Sequence, residues 1–276
     1  MPTVAAAVKW VDRRPEVDPL TGAVTTDART SGMSEADRAA VEWALRLGER
    51  WSWETLVVTA GPPIAESVLR DSLAAGVDRA VRVDCRADLP SPRVAAALAP
   101  ALSAVDVVVC GDWSLDRGSG SVPAFLAADL GAAQALGVVA IEPAGPAIVD
   151  AERRLDGGRR ERLRVTAPAV ISVEGASARL RRASLSGVRA AQRAPLTTMA
   201  GPENGDHGGG ALRRGPLRPR PKVLPPPDPS LPPRDRILAL TGSLVERTPP
   251  QRWALEPSQA AERIIDQLRA WGVGAQ

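Results

Sequence analysis

The residues best placed to do chemistry lie in one stretch: Gly111, Asp116, Gly118, Ser119, Gly120, Ser121 and Val122. Glycines let backbone N–H groups approach a phosphate with no Cβ in the way. A helix that starts just beyond them turns the positive end of its dipole toward an anion. The same residues also make an ordinary glycine-rich turn, and spacing alone does not separate the two. Asp116 and Ser119 are also the components of a nucleotide-dependent hydrolase or transferase, for which a lone acid and hydroxyl on a loop are weak evidence. The single histidine, His207, stands in a glycine-rich stretch, which argues against a Ser-His-Asp triad or a histidine metal site. Cys85 and Cys110 are too few for a disulfide framework or a zinc site. At the ends of apolar runs they read as small buried hydrophobes.

The elements around that stretch alternate. Residues 3–8 form an apolar strand, followed by turns at Asp18-Pro19 and Thr21-Gly22. Ser34-Glu35-Ala36-Asp37 starts a helix: the serine hydroxyl caps the N–H three residues on, and the acids suit the dipole. Ala36, Ala39, Ala40, Trp43, Ala44 and Leu47 recur at helical spacing. A strand over 55–59 leads through Ala60-Gly61-Pro62-Pro63 to a helix with Ile64, Val68, Leu69 and Leu73 on one face, closed by Gly76. Then come a strand at 80–84, a helix over 91–103, a continuous apolar strand at 105–110, and a helix over 123–130. Such alternation gives βαβ units and a parallel sheet. The loops near 7–10, 59–62 and 111–121 leave the same sheet edge, where ligands of these sheets bind.

Beyond 136 the pattern changes. Runs at 136–142, 161–166 and 168–173 are strands without long helices between them, and Asp156-Gly157-Gly158 signals a hairpin. Residues 201–233 are rich in Gly and Pro and carry Arg213, Arg214, Arg218, Arg220 and Lys222; such a segment is extended or mobile. A short strand at 237–240 and an amphipathic helix over 257–271, with Ala261, Ile264, Ile265 and Leu268 on one side, complete the chain. The expected fold is α/β: a Rossmann-like parallel sheet flanked by helices, with extra antiparallel strands and an extended C-terminal arm ending in a helix.

Composition narrows the classes further. The chain has 276 residues, 44% hydrophobic, with one Phe and no Tyr, and a net charge of +3. Few aromatics and mixed charge argue against a nucleic-acid partner. The N-terminus lacks the basic and apolar regions of a secretory signal, and no apolar run reaches membrane-spanning length. The expected compartment is the reduced cytoplasm.

Several blocks, in order, resemble the electron transfer flavoprotein beta subunits. They are Ala7-Val8-Lys9-Trp10-Val11 with the Asp18-Pro19 and Thr21-Gly22 turns, then Ser31-Gly32-Met33 leading into Ala40-Val41-Glu42-Trp43-Ala44-Leu45-Arg46-Leu47. Gly61-Pro62 and Leu73-Ala74-Ala75-Gly76-Val77-Asp78-Arg79-Ala80 follow, then the strand Asp106 to Gly111. Leu155-Asp156-Gly157-Gly158, Ala167-Pro168-Ala169-Val170 and Thr248-Pro249-Pro250-Gln251-Arg252 complete the series. No single block decides; their order and spacing carry the resemblance.

The resemblance implies a heterodimer with an electron transfer flavoprotein alpha subunit, in which FAD lies largely on the alpha side. The beta subunit then holds AMP, or a second FAD in bifurcating members. By block alignment its nucleotide site is Ala7, Ser34, Glu35, Ala36, Asp37, Ala60, Gly61, Gly111, Asp116, Gly118, Ser119, Gly120, Ser121 and Val122. No catalytic residue and no metal is implied; the flavin does the redox chemistry. The loop at about 176–189 corresponds to the one that recognises partner dehydrogenases, with Leu185 as anchor; the bland reading tucks Leu185 onto its own domain. The implied division is a nucleotide-binding domain over 1–190, including that loop, and an arm with a C-terminal helix over 191–276 that packs on the alpha subunit.

The chain also departs from the family pattern. Ser34-Glu35 replaces Asn-Pro, and Ser121-Val122-Pro123 replaces Gln-Thr-Gly, which removes donors that would face phosphate. Backbone N–H groups of residues 118–122 are the substitutes. Whether the site holds AMP, FAD or nothing stays open, as does a stand-alone adenine-nucleotide-binding module without a redox role. The Arg-rich composition, with lysines only at 9 and 222, suits a high-GC bacterium, and the divergent site suits the branch associated with the mycofactocin redox system.

Overall fold

The structure, a computed structural model, describes residues 1–201, 215, 226–241 and 252–272. β1 (Thr3–Ala7) is buried at every position, as a strand covered on both faces must be. The turn-rich stretch that follows folds into two small antiparallel ribbons. β2 (Val11–Asp12) pairs with β5 (Ser31–Gly32), and β3 (Glu16–Val17) pairs with β4 (Val24–Thr25). The Asp12 carboxylate organises this excursion by accepting bonds from Arg14 N, Asp27 N and Thr30 Oγ1.

α1 (Glu35–Trp51) is followed by β6 (Glu54–Gly61), α2 (Glu66–Ala75), β7 (Arg79–Asp84), α3 (Ser91–Leu102), β8 (Val107–Gly111) and α4 (Val122–Leu130). Then β9 (Ala133–Gly145), β10 (Ile148–Arg154) and β11 (Arg160–Thr166) form an antiparallel meander, and β12 (Ala169–Val173) returns to the parallel direction. α5 (Leu185–Arg193) and β13 (Thr197–Ala200) follow, and after them α6 (Pro233–Thr241) and α7 (Pro257–Ala270).

Among the described residues one nine-stranded sheet runs β11-β10-β9-β12-β8-β1-β6-β7-β13. Every pairing from β9 to β13 across it is parallel. From β1 the chain builds outward through β6 and β7, then crosses back to lay β8 on the other side of β1. The order therefore reverses between β1 and β8, and crevices for ligands open at such a switch point. Helices cover both faces. Val4, Ala6 and Val57 pack with Ala40, Ala44 and Leu47 of α1 and with Val68 and Leu69 of α2. Ala5, Ala7 and Val58 pack with Leu98 of α3 and Leu126 of α4. The fold is the expected α/β one, mostly parallel with antiparallel additions.

Several local expectations change. Residues 237–240 lie in α6, not in a strand: Pro233 opens the helix and Asp235 stands in its first turn. Ile64 is 46% exposed in a short turn of 3₁₀-helix at Pro63–Ala65, outside the apolar face of α2. β10 was not expected because its charged residues hide the period; Val149 and Ala151 are buried while Asp150 and Glu152 alternate with them. The compact unit Met1–Leu217 extends past residue 190, because β13 pairs with β7. The second unit, Arg218–Gln276, contains α6 and α7, neither with a buried residue. His207 and the basic run at 213–222 lie outside the described residues, as does most of the block at 248–252.

Candidate functional site

A cleft opens at the switch point, beyond the carboxyl ends of β1 and β8. Ala7 and Val8 end β1, Ala60 comes from β6, and Cys110 and Gly111 end β8. One wall is the loop between β8 and α4, with Trp113, Ser114, Arg117, Ser119, Gly120 and Ser121. The other is the connection from β7 into α3, with Arg86, Leu89, Ser91, Val94 and Leu98.

The floor rests on close contact between strand ends and the first turn of α1. A Cβ on Gly111 would stand 3.0 Å from Ala36 Cβ, Asp37 N and Asp37 Oδ1. A Cβ on Gly175 would stand 3.0 Å from Ala36 N. Two glycines thus let the ends of β8 and β12 reach the helix start. Ser34 caps that start as expected: its Oγ accepts from Asp37 N at 3.0 Å and donates to Asp37 Oδ2 at 2.8 Å. Asp37 lines the cleft yet is only 5% exposed. Burial pushes its carboxyl up to about 7, against the opposing bonds from Ser34 and from the main chain of Lys9. The Cys110 thiol, also buried and beside Asp37, is pushed up to about 12, so it behaves as the inert small hydrophobe expected.

The β8–α4 wall is held by main-chain geometry. Gly120 has φ +58°, and a Cβ there would come within 2.4 Å of the Asp112 carbonyl oxygen. Ser119 Oγ lies 3.0 Å from Ser121 Oγ and 3.2 Å from Ser91 Oγ. The three hydroxyls therefore join the starts of α3 and α4. Neither start has a side-chain cap, since Pro90 precedes α3 and the Ser121 hydroxyl caps nothing in α4. Pro92 and Pro123 carry no N–H, and Arg93 N bonds the Pro90 carbonyl at 2.9 Å, so few first-turn donors remain at either start. Lys9 Nζ bonds Asp116 Oδ2 at 2.5 Å. Burial works to raise the Asp116 carboxyl, but bonds from Lys9 and Ser114 hold it below the usual range.

The sequence-derived site divides into two groups. Ala7, Asp37, Ala60, Gly111, Ser119, Gly120, Ser121 and Val122 line the cleft. Ser34, Glu35, Ala36, Gly61, Asp116 and Gly118 do not line it; Ser34, Glu35 and Ala36 form the helix start under its floor, and Asp116, paired with Lys9, and Gly118 belong to the β8–α4 loop. The entire β7–α3 wall was missed, while Trp113 and Arg117 fall within the expected 111–122 loop without having been singled out. Its signal was present: residues 85–91 follow the carboxyl end of a parallel strand, on the edge already assigned to ligands.

Leu185 does not sit within a loop. It is the first residue of α5, capped by Ser184, whose Oγ accepts from Gly187 N at 3.0 Å. It is 77% exposed. The segment before it is fastened to α1: Trp43 Nε1 donates to Ser177 Oγ at 3.1 Å, and Arg181 pairs with Glu42 and Glu49.

The family model for the electron transfer flavoprotein domain matches residues 21–204, a span that holds both walls of the cleft and every strand of the nine-stranded sheet except β1. The chain belongs to the electron transfer flavoprotein family. It is 35% identical over 167 residues to an electron transfer flavoprotein subunit beta of Syntrophomonas wolfei, covering 59% of this chain and 66% of that protein. It is 32% identical over 183 residues to the subunit beta of Mycobacterium tuberculosis, covering 63% and 68%. It is 29% identical over 200 residues to protein FixA of Bradyrhizobium diazoefficiens, covering 68% and 69%. The chain thus spans about two thirds of the length of these relatives. The family resemblance read from the sequence holds, and with it the description of an electron transfer flavoprotein subunit. No helix among the described residues is long and apolar enough to cross a membrane.

Proposed function

We propose that this chain is the beta subunit of a heterodimeric electron transfer flavoprotein. Paired with an alpha subunit, it carries electrons from dehydrogenases to a downstream acceptor through FAD held mainly on the alpha side. The flavin supplies the redox chemistry, and this chain supplies binding, orientation and electrostatics. The switch-point cleft holds the beta-site nucleotide, AMP or a second FAD. Ala7, Ala60, Gly111 and Ser119 to Val122 contact it, while Ser34 to Asp37, Gly61, Asp116 and Gly118 fix the floor and wall. The observation that carries this reading is the cleft itself, at the switch point of the sheet, with Leu89, Val94 and Leu98 on one side and the glycine- and serine-rich β8–α4 loop on the other, in a chain of this family. Exposed Leu185 on a tethered helix start supports its role as the dehydrogenase anchor. Exposed Ile264, Ile265 and Leu268 on α7 support an arm that packs on the alpha subunit.

The experiment is co-expression with the alpha subunit. The pair should co-purify and carry a flavin absorption spectrum, whereas the chain alone should be colourless. A stoichiometric flavin on the isolated chain would place a second flavin in the cleft instead of AMP. A chain that forms no flavin-bearing complex would favour the nucleotide-binding module without a redox role.

A further inference from the structure

Helix α5 is nine residues long and buries only Ala191. A helix that short is marginal on its own, so what it touches decides where it lies. The chain before it is tied to α1 through Arg181, and the chain after it is tied to the sheet, where β13 pairs with β7. Between those tethers α5 lies on α2. A Cβ on Gly187 would stand 2.8 Å from the Ala74 carbonyl oxygen, so the two helices approach there through bare backbone. One turn further along, Arg70 of α2 donates through Nη1 to the Ala191 carbonyl at 2.5 Å and to the Ala194 carbonyl at 3.3 Å. Gly187 thus meets Ala74, and Ala191 meets Arg70, which sets the two helices antiparallel in one register.

Arg70 suits this position. The last carbonyls of a helix have no intrahelical partner, and they form the negative end of its dipole. An arginine answers both with donors and charge. Its charge is not spent elsewhere: Glu66, one turn before it on α2, is taken by Arg82 at 3.1 Å, and no carboxylate among the described residues forms an ion pair with Arg70. Leu185 stands on the far side of this seam. At about 100° per residue it is roughly 160° around α5 from Gly187. At 77% exposure its own side chain does little to steady the helix start. A roll or slide of α5 on α2 therefore moves Leu185, and the seam is what resists it.

We propose that Arg70 is a positioning residue for electron delivery: it seats the carboxyl end of α5 on α2 and so fixes the height and direction at which Leu185 meets a dehydrogenase. The assignment rests on the reading of Leu185 as the dehydrogenase anchor. Without Arg70, α5 divides between seated and unseated positions, and affinity for the dehydrogenase falls with the seated fraction.

The test is reduction of the heterodimer's flavin by the cognate dehydrogenase, with the heterodimer concentration varied, for wild type, Arg70→Ala, Arg70→Lys, Leu185→Ala and the Arg70→Ala/Leu185→Ala pair. Arg70→Ala should raise KM for the heterodimer about tenfold, the equivalent of one charge-assisted hydrogen bond, and leave kcat and flavin content unchanged. Arg70→Lys should fall between it and wild type. Hydrogen exchange of the amides at 188–194 should quicken in Arg70→Ala. In the Leu185→Ala background the loss of Arg70 should add nothing, because the arginine acts through the leucine. Additive effects in the pair, or unchanged exchange at 188–194, would overturn the assignment. A raised KM in Leu185→Ala with none in Arg70→Ala would overturn it and leave the anchor standing. An unchanged KM in both would overturn the anchor reading and the assignment with it.

Discussion

Arg181 and Glu42 stand 139 positions apart in the chain and meet through both main chain and side chain. The Arg181 N–H and Nε both donate to Glu42 Oε2, at 3.1 and 3.0 Å. Glu42 also accepts from Arg46 at 2.8 Å, and Arg181 reaches on to Glu49. The glutamate side chain is only 6% exposed. Burial works to raise its carboxyl, but bonds from Arg181 and Arg46 hold it below the ordinary value.

Arg181→Ala should therefore cost about 2 kcal/mol in urea unfolding. That is less than the roughly 3–5 kcal/mol of a fully buried pair, because Arg46 remains and Arg181 is partly exposed. Since the folded carboxyl of Glu42 is depressed, its contribution is present above pH 4.5 and lost as the pH falls through the folded value. Glu42→Gln should flatten the acid limb of the stability curve. An unchanged acid limb would remove the clamp from the stability of the fold.

Asp37→Asn should show the opposite dependence. The folded carboxyl sits near 7 and the unfolded one near 3.8. Between those values the unfolded chain has released a proton that the fold retains, so wild-type stability falls as the pH rises. Above about 7 the penalty is constant. The variant lacks this term, so its advantage should grow from near zero at about pH 4 to a plateau above about 7. One pKa unit is worth about 1.4 kcal/mol, so the plateau should reach at most about 4 kcal/mol. A difference that stays flat across this range would contradict the burial of a carboxyl that has no ion-pair partner.

Gly118→Ala and Gly120→Ala should separate backbone strain from collision. Both positions have positive φ, but the nearest atom to a Cβ is 3.9 Å away at Gly118 and 2.4 Å away at Gly120. The first should cost about 1 kcal/mol, the left-handed penalty alone. The second should cost roughly 2–3 kcal/mol and displace the wall, with a loss of nucleotide affinity. Similar costs at both positions would refute the contact with the Asp112 carbonyl.

Leu185→Ala should leave the melting temperature and flavin content of the heterodimer unchanged and slow flavin reduction by the cognate dehydrogenase. At 77% exposure the side chain has little to lose at home. Burying it against a partner would contribute roughly 2 kcal/mol, more than tenfold in affinity. Equal reduction rates would remove the recognition role, and a large fall in melting temperature would return Leu185 to its own domain.

The parallel core was legible because its strands are unbroken apolar runs and because α1 starts at a capping serine and α2 ends at a glycine. Val107 to Cys110 and the Ser34 cap illustrate both. β10 was not legible, since Asp150 and Glu152 are conspicuous while the alternation of Val149 with Ala151 is brief. α6 was misread because a short apolar run fits either period until its first-turn proline and acid are weighed. The loop at 111–121 was found through its glycines, whereas Arg86, Leu89 and Ser91 were not. Their role depends on which loops the crossover from β7 to β8 brings together, and no local spacing encodes that.

Gly111 and Gly175 give the cleft a fixed datum. Both pin strand ends against the first turn of α1, where two absent methyl groups set the separation. The positive end of α1 is then enclosed by main chain and by Ser34, leaving the ends of α3 and α4 free toward the cleft. Substitutions at 34–37 will accordingly register as changes in melting behaviour. The exposed side chains of the β8–α4 wall, Arg117 and Ser119, are by contrast open to exchange without disturbing that datum, whereas Gly118 and Gly120 are held to glycine by their backbone.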